Sequence, residues 1–212
     1  MSYDGESAVG TFLPPQKSDV LFGSEADWQV NACAASGFDD IIYQEGYRRA
    51  ALHLVEYLCD KGNGQDFLVY PIIYLYRHHI EITLKSIVRT AYSLLDQEVT
   101  DKGSDLLISH DLSKLWTLAS SLLNAAYKIA DNSAVPLDDL EGIESYIRQL
   151  HEHDPDGQRF RYATTRKGTP SLRLGLTSIN IRDLSNALES VRDHSFALPS
   201  LRTMSRMDAS NT

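Results

Sequence analysis

The sequence predicts a mainly α-helical protein, an antiparallel helical bundle with a small β-hairpin near residues 158–174. Three observations carry this expectation. Apolar residues recur at helical spacing in five separate stretches. Each stretch is closed by glycine, proline or a run of Asp, Asn and Ser. Only residues 158–174 lose the helical period, reading as two short β-like runs on either side of Arg166-Lys167-Gly168, a turn sequence.

Residues 1–37 are rich in Gly, Ser, Asp and Pro and read as an N-terminal arm, with Phe12, Leu13, Leu21, Phe22 and Trp28 as anchors. The helical domain spans 38–196, with the hairpin as an insertion at 156–176, and a flexible tail follows at 197–212. A first helix over about 40–60 opens at Asp39 or Asp40 and carries Ile41, Tyr43, Tyr47, Ala51, Leu54 and Leu58; Lys61-Gly62-Asn63-Gly64 ends it. The second, about 66–96, is the most hydrophobic part of the chain, with Pro71 placed near its first turn. A polar loop, DQEVTDKGSD, leads to a third helix over about 111–130, capped by Ser109 or Asp111. Asp131-Asn132-Ser133 breaks that helix. A fourth, about 137–152, stops before Pro155, because the residue preceding proline disfavours the α region. The last, about 179–195, carries Ile181, Leu184, Leu188 and Val191.

Composition narrows the function. Twenty Lys and Arg against 29 Asp and Glu give a net charge of −9, which argues against bulk coating of nucleic acid or of an anionic membrane. Cys33 and Cys59 form neither a chelating spacing nor a disulfide framework, and the first ten residues have no signal-peptide pattern. A cytoplasmic protein, with no membrane span, no cofactor and no metal, is the expectation.

Four constellations carry polar chemistry. Arg77, His78 and Glu81 lie inside the second helix, with Arg77 on the apolar face beside Ile73, Tyr76, Ile80 and Leu84. A charge there needs a partner, and Glu81 one turn on supplies it. His110-Asp111 precedes the third helix, either as a cap or as a phosphate-attracting histidine at a helix N-terminus. His151-Glu152-His153-Asp154 closes the fourth, a solvated helix end or a ligand cluster. Arg159, Arg161, Arg166, Lys167 and Arg173 oppose only Asp156 between 155 and 175, a cationic patch in an acidic chain. On a strand, Phe160 and Tyr162 share one face and Arg159 and Arg161 the other, an arrangement suited to gripping phosphate and stacking a base.

The string YLYRHHIEITLKSIV, then a loop, then HDLSKLW opening a helix, with DPDGQRFRY further on, resembles the HEPN superfamily of helical-bundle proteins over about residues 40–155. The resemblance implies an antiparallel bundle, often a dimer, that engages RNA or a nucleotide. Many members are metal-independent endoribonucleases of toxin–antitoxin or phage-defence systems; others are inactive and bind RNA, nucleotides or proteins. Active members carry an Arg followed a few residues later by a His, so that the His transfers protons and the Arg stabilises phosphate charge. That spacing occurs here as Arg48…His53 and Arg148…His153. Arg148…His153 is the better candidate, because the helix should end before Pro155 and let the histidine turn back. The expected catalytic pair is therefore Arg148 and His153, with Arg159, Arg161, Arg166, Lys167 and His110 binding substrate; Arg77, His78 and Glu81 are a structural set or a further site, in which Arg77 and Glu81 organise the core and His78 is free for another role. The expected partners are a second copy of the chain (a homodimer or higher oligomer), RNA or a nucleotide, and a protein partner. The alternative is a non-catalytic oligomerising or protein-interaction module.

Overall fold

A computed structural model describes residues 16–17, 29, 31–32, 40–131, 137–172 and 176–195. The arm with its apolar anchors, Arg173 and the tail 197–212 lie outside the described residues apart from Gln16, Lys17, Gln29, Asn31 and Ala32. The described domain is mainly helical: α1 (Asp40–Lys61), α2 (Gln65–Leu94), α3 (Asp101–Ile108), α4 (Leu112–Asp131), α5 (Leu137–His153) and α6 (Ile181–Ser195).

α2 is the central element, in contact with α1, α4 and α6. Its apolar stripe explains why. Ile72, Ile73, Tyr76, Ile80, Leu84, Ile87 and Val88 are buried at helical spacing. All of these but Ile73 meet Ala51 and Val55 of α1, Leu112, Leu115, Trp116 and Ala119 of α4, Ile143 and Ile147 of α5, and Leu188 and Val191 of α6 in one cluster. None of the described helices is long and apolar enough to cross a membrane.

Pro71 falls within α2 rather than in its first turn, since the helix begins at Gln65. The Phe67 carbonyl consequently loses its helical donor. Phe67 is 81% exposed, so water reaches that turn and the break is tolerated.

α3 is an element the sequence reading assigns to loop. It spans eight residues, contains Gly103, and buries only Gly103 and Leu106, so its apolar period is too short to register. Its start is chemical. The Thr100 hydroxyl accepts the Gly103 N–H at 3.1 Å and contacts the Tyr92 hydroxyl at 3.2 Å. Glycine suits position 103, because a Cβ there would lie 3.0 Å from that Tyr92 oxygen.

The segment expected as a hairpin contains no strand among its described residues. It holds a single antiparallel bridge, Thr164 to Pro170, closed by a turn in which Gly168 takes φ 76°. Residues 158–162 form a turn in which Arg161 and Tyr162 N–H both donate to the Gln158 carbonyl. The strand alternation therefore fails: Phe160 is buried while Tyr162 is half exposed.

Replacing Thr100 with Ala removes the α3 cap and is expected to cost about 1 kcal/mol, read as a lowered midpoint in urea with an unchanged slope.

Candidate functional site

Arg77 is 2% exposed, and its guanidinium joins three parts of the chain. Nη1 donates to Glu81 Oε2 at 2.8 Å, one turn along α2. Nη2 donates to the His110 carbonyl at 2.8 Å, just before α4. Nε donates to the Asp154 carbonyl at 3.2 Å, just after α5. The Asp154 carboxylate also lies 3.2 Å from Nε as an ionic contact without hydrogen-bond alignment; its other oxygen accepts the Arg159 N–H at 3.0 Å. Gly157 closes the fourth side. It sits at φ 73°, and a Cβ there would be 2.9 Å from Nη1, so both the backbone and the space require glycine.

Glu81 is the counter-charge, 3% exposed. Oε2 takes Arg77, while Oε1 takes Lys85 Nζ and His110 Nδ1, each at 2.8 Å. Burial pushes its pKa up, but the ion pair with Lys85 and the hydrogen bonds from Arg77 and His110 outweigh this and hold it at about 2. Glu81 is thus a carboxylate at neutral pH and accepts only, which places the His110 proton on Nδ1. Nε2 is left as an acceptor on a side chain that is 57% exposed.

His110 lines an open groove of about 790 Å³ together with Asp156, Arg159, Arg166, Lys167, Tyr162, Thr164, Thr165, Thr169 and Ser171. Three fixed cations face one carboxylate there, the reverse of the chain's overall balance. The groove is built by the turn at 158–162 and the loop around Gly168. Asp111, next to His110, accepts the Lys114 N–H at 3.0 Å and so caps α4. Burial works to raise its pKa, but that N–H, Lys114 and His151 prevail and lower it. His151 Nδ1 stands 3.7 Å from Asp111, too far for a hydrogen bond.

The structure brings together Arg77, Glu81 and His110, and sets Arg159, Arg166 and Lys167 around the same opening. It does not assemble Arg148 with His153. α5 runs unbroken through His153, so the five-residue offset leaves the two about 140° apart on one helix. Both are exposed, with no contact between them. Arg48 and His53 separate likewise: Arg48 is buried against Glu45 and Glu189, while His53 pairs with Glu56 at the surface. His78 is held between rings, edge-on to Tyr47 at 4.4 Å and stacked on Tyr74 at 5.7 Å, and burial lowers its pKa. Arg161 leaves the groove and lies over Tyr74 and Tyr162, each at 5.3 Å.

Sequence reasoning missed Lys85, Asp154 and Gly157 as partners of the Arg77 network. The Asp154-Pro155-Asp156-Gly157 turn carried the signal, since glycine at the end of such a turn marks a left-handed residue. No cluster of three metal-ligating residues occurs among the described residues. Comparison with protein-family models, curated proteins and solved structures finds no match.

Because Glu81 titrates near 2 in the folded state against 4.5 ordinarily, its contribution is complete above about pH 4.5 and vanishes as pH falls through 2. The loss amounts to about 3 kcal/mol. Denaturant titrations from pH 6 to about 2 are expected to show it. In Glu81→Gln that share of the acid slope disappears, and the protein at neutral pH is weaker by roughly 3–5 kcal/mol because Arg77 loses its counter-charge.

Proposed function

We propose that this chain is a HEPN-like helical-bundle protein that engages the phosphates of RNA or a nucleotide in the groove beside His110, and that it acts there as a metal-independent endoribonuclease. One observation carries the reading: an imidazole oriented by a buried carboxylate stands at the mouth of a groove lined by Arg159, Arg166 and Lys167. The HEPN resemblance supplies the reaction class, and the residues move the site from the end of α5 to His110. In cleavage by the RNA's own 2′-hydroxyl, His110 Nε2 takes the 2′ proton as the 2′ oxygen attacks phosphorus. The groove cations meet the charge that grows on the phosphoryl oxygens, and water protonates the departing 5′ oxygen. Glu81 holds the Nδ1 proton, so that Nε2 is the nitrogen free to take the 2′ proton. A toxin–antitoxin or phage-defence setting belongs to the same reading.

An RNA-cleavage assay in EDTA tests it. His110→Ala is expected to lower kcat by about 10²–10⁴-fold, while His153→Ala stays within a factor of about two of wild type because its ring is not part of the groove. Equal rates for wild type and His110→Ala, or no cleavage by wild type, would remove the catalytic version.

A second reading, a non-catalytic oligomerising or protein-interaction module, has its own observation. An apolar groove of about 360 Å³ runs between Ile73, Tyr146, Leu150, Phe160, Ile179 and Leu184, and Ile108 and Ile129 are exposed elsewhere on the domain. That reading expects a defined homodimer or larger species in light scattering, broken by Tyr146→Asp; a monomer at every concentration sinks it.

A further inference from the structure

Tyr162 stands between two depressions. On one side it lines the cationic groove with His110. On the other it lines a shallow slot of about 450 Å³ with Tyr70, Pro71, Tyr74, Phe160 and Arg161. The slot is built of flat surfaces. The Arg161 guanidinium carbon is 5.3 Å from the centroid of Tyr74 and 5.3 Å from that of Tyr162, so one planar cation serves both rings. Its Nη2 also donates to the Tyr162 hydroxyl at 3.4 Å. Tyr74 is backed by His78, whose ring lies 13° from parallel, and His78 is fixed edge-on by Tyr47. The floor is thus immobilised from beneath, while Tyr162 and Tyr70 remain 53% and 44% exposed.

Exposed aromatic rings interleaved with a planar cation, next to a row of Lys and Arg, match a ligand that is flat and anionic at adjacent points. We propose that the slot is the base-stacking site for single-stranded RNA: the backbone crosses the groove past His110 and a neighbouring base lies on Tyr162, Arg161 and Tyr74. The proposal rests on the groove reading above and names its substrate class. Charge complementarity selects the polyanion, because Arg159, Arg166 and Lys167 face only Asp156 in a chain that is otherwise acidic. The slot selects the single strand. A duplex keeps its bases stacked inside the helix and has no free face to offer, whereas an unpaired base can turn outward onto a ring. Stacking also places the sugar beside the groove, so the 2′-hydroxyl is presented to His110 by the same contact that holds the base.

The test uses the full chain and a short single strand with 2′-O-methyl sugars, which cannot self-cleave, carrying one 2-aminopurine. Wild type is expected to bind with quenched 2-aminopurine fluorescence and to bind the matching duplex far more weakly. Tyr162→Ala, a change at a half-exposed ring that leaves the core intact, is expected to lose about 5- to 150-fold in affinity together with the quench. Tyr162→Phe keeps both. Lys167→Ala keeps the quench but lowers the salt dependence of binding by about 0.7 in the log–log slope. Unchanged affinity and quench in Tyr162→Ala overturns the stacking site and leaves the groove standing. Equal binding of duplex, tighter binding of a mononucleotide or preference for an acidic peptide overturns the single-strand assignment. Tyr162-dependent binding that ignores both Lys167 and His110 upholds the slot and overturns the groove. Failure to bind any RNA overturns both.

Discussion

The structure depends on one buried guanidinium. Arg77 is surrounded by core side chains, where an unpaired charge would cost several kcal/mol. It stays because each of its nitrogens has a fixed acceptor, and those acceptors come from three places: Glu81 on α2 itself, the His110 carbonyl before α4 and the Asp154 carbonyl after α5. Two of these are main-chain carbonyls at helix ends. The one after α5 lies past the last helical turn, where a carbonyl has no helical donor and needs another, while the one before α4 belongs to the connecting segment. Arg77 therefore does for the ends of distant segments what a cap does locally, and positions both segments against α2 as it does so.

That constraint explains where the candidate site lies. The carbonyl of His110 is fixed by Arg77 while its ring is fixed by Glu81, so backbone and side chain of one residue are held by two partners one helical turn apart. The histidine gains a defined orientation although more than half of its side chain faces solvent. The turn that follows Asp154 starts from the same anchor and carries Gly157 across the guanidinium before delivering Arg159 to the groove. A larger residue at 157 would push that turn outward and take the groove's cations away from His110. Precision at the opening comes from the buried network beneath it rather than from the loop, as expected where a site is built on a rigid scaffold.

Helix positions were legible because the apolar period of α1, α2, α4, α5 and α6 is long and their breaks are chemically plain. α3 was not, since a Thr cap and one buried leucine leave little pattern. The Arg77–Glu81 pair was legible from an i,i+4 offset on an apolar face. Its other partners were not, because Lys85, His110 and Asp154 reach it through tertiary packing across 33 to 77 residues of chain, or, for Lys85, by sharing a carboxylate already assigned. The Arg148…His153 spacing joined two residues that stand apart on one helix. Spacing along a chain says nothing of convergence unless the helix breaks between the two residues, and α5 does not break there.

Glu81 is where the structural and chemical demands meet, and the two differ in kind. Arg77 and Lys85 are fixed cations whose hydrogen bonds, together with that of His110, keep the carboxylate ionised. Because that charge is already balanced, a proton arriving at His110 does not have to be compensated by Glu81 changing state. The carboxylate can hold Nδ1–H in the neutral and the charged imidazole alike. A simple Glu–His pair exposed at a surface would lack that hold, since water would then compete for both partners. Burying the carboxylate while leaving the imidazole at the rim separates the fixed partner from the ring that faces solvent.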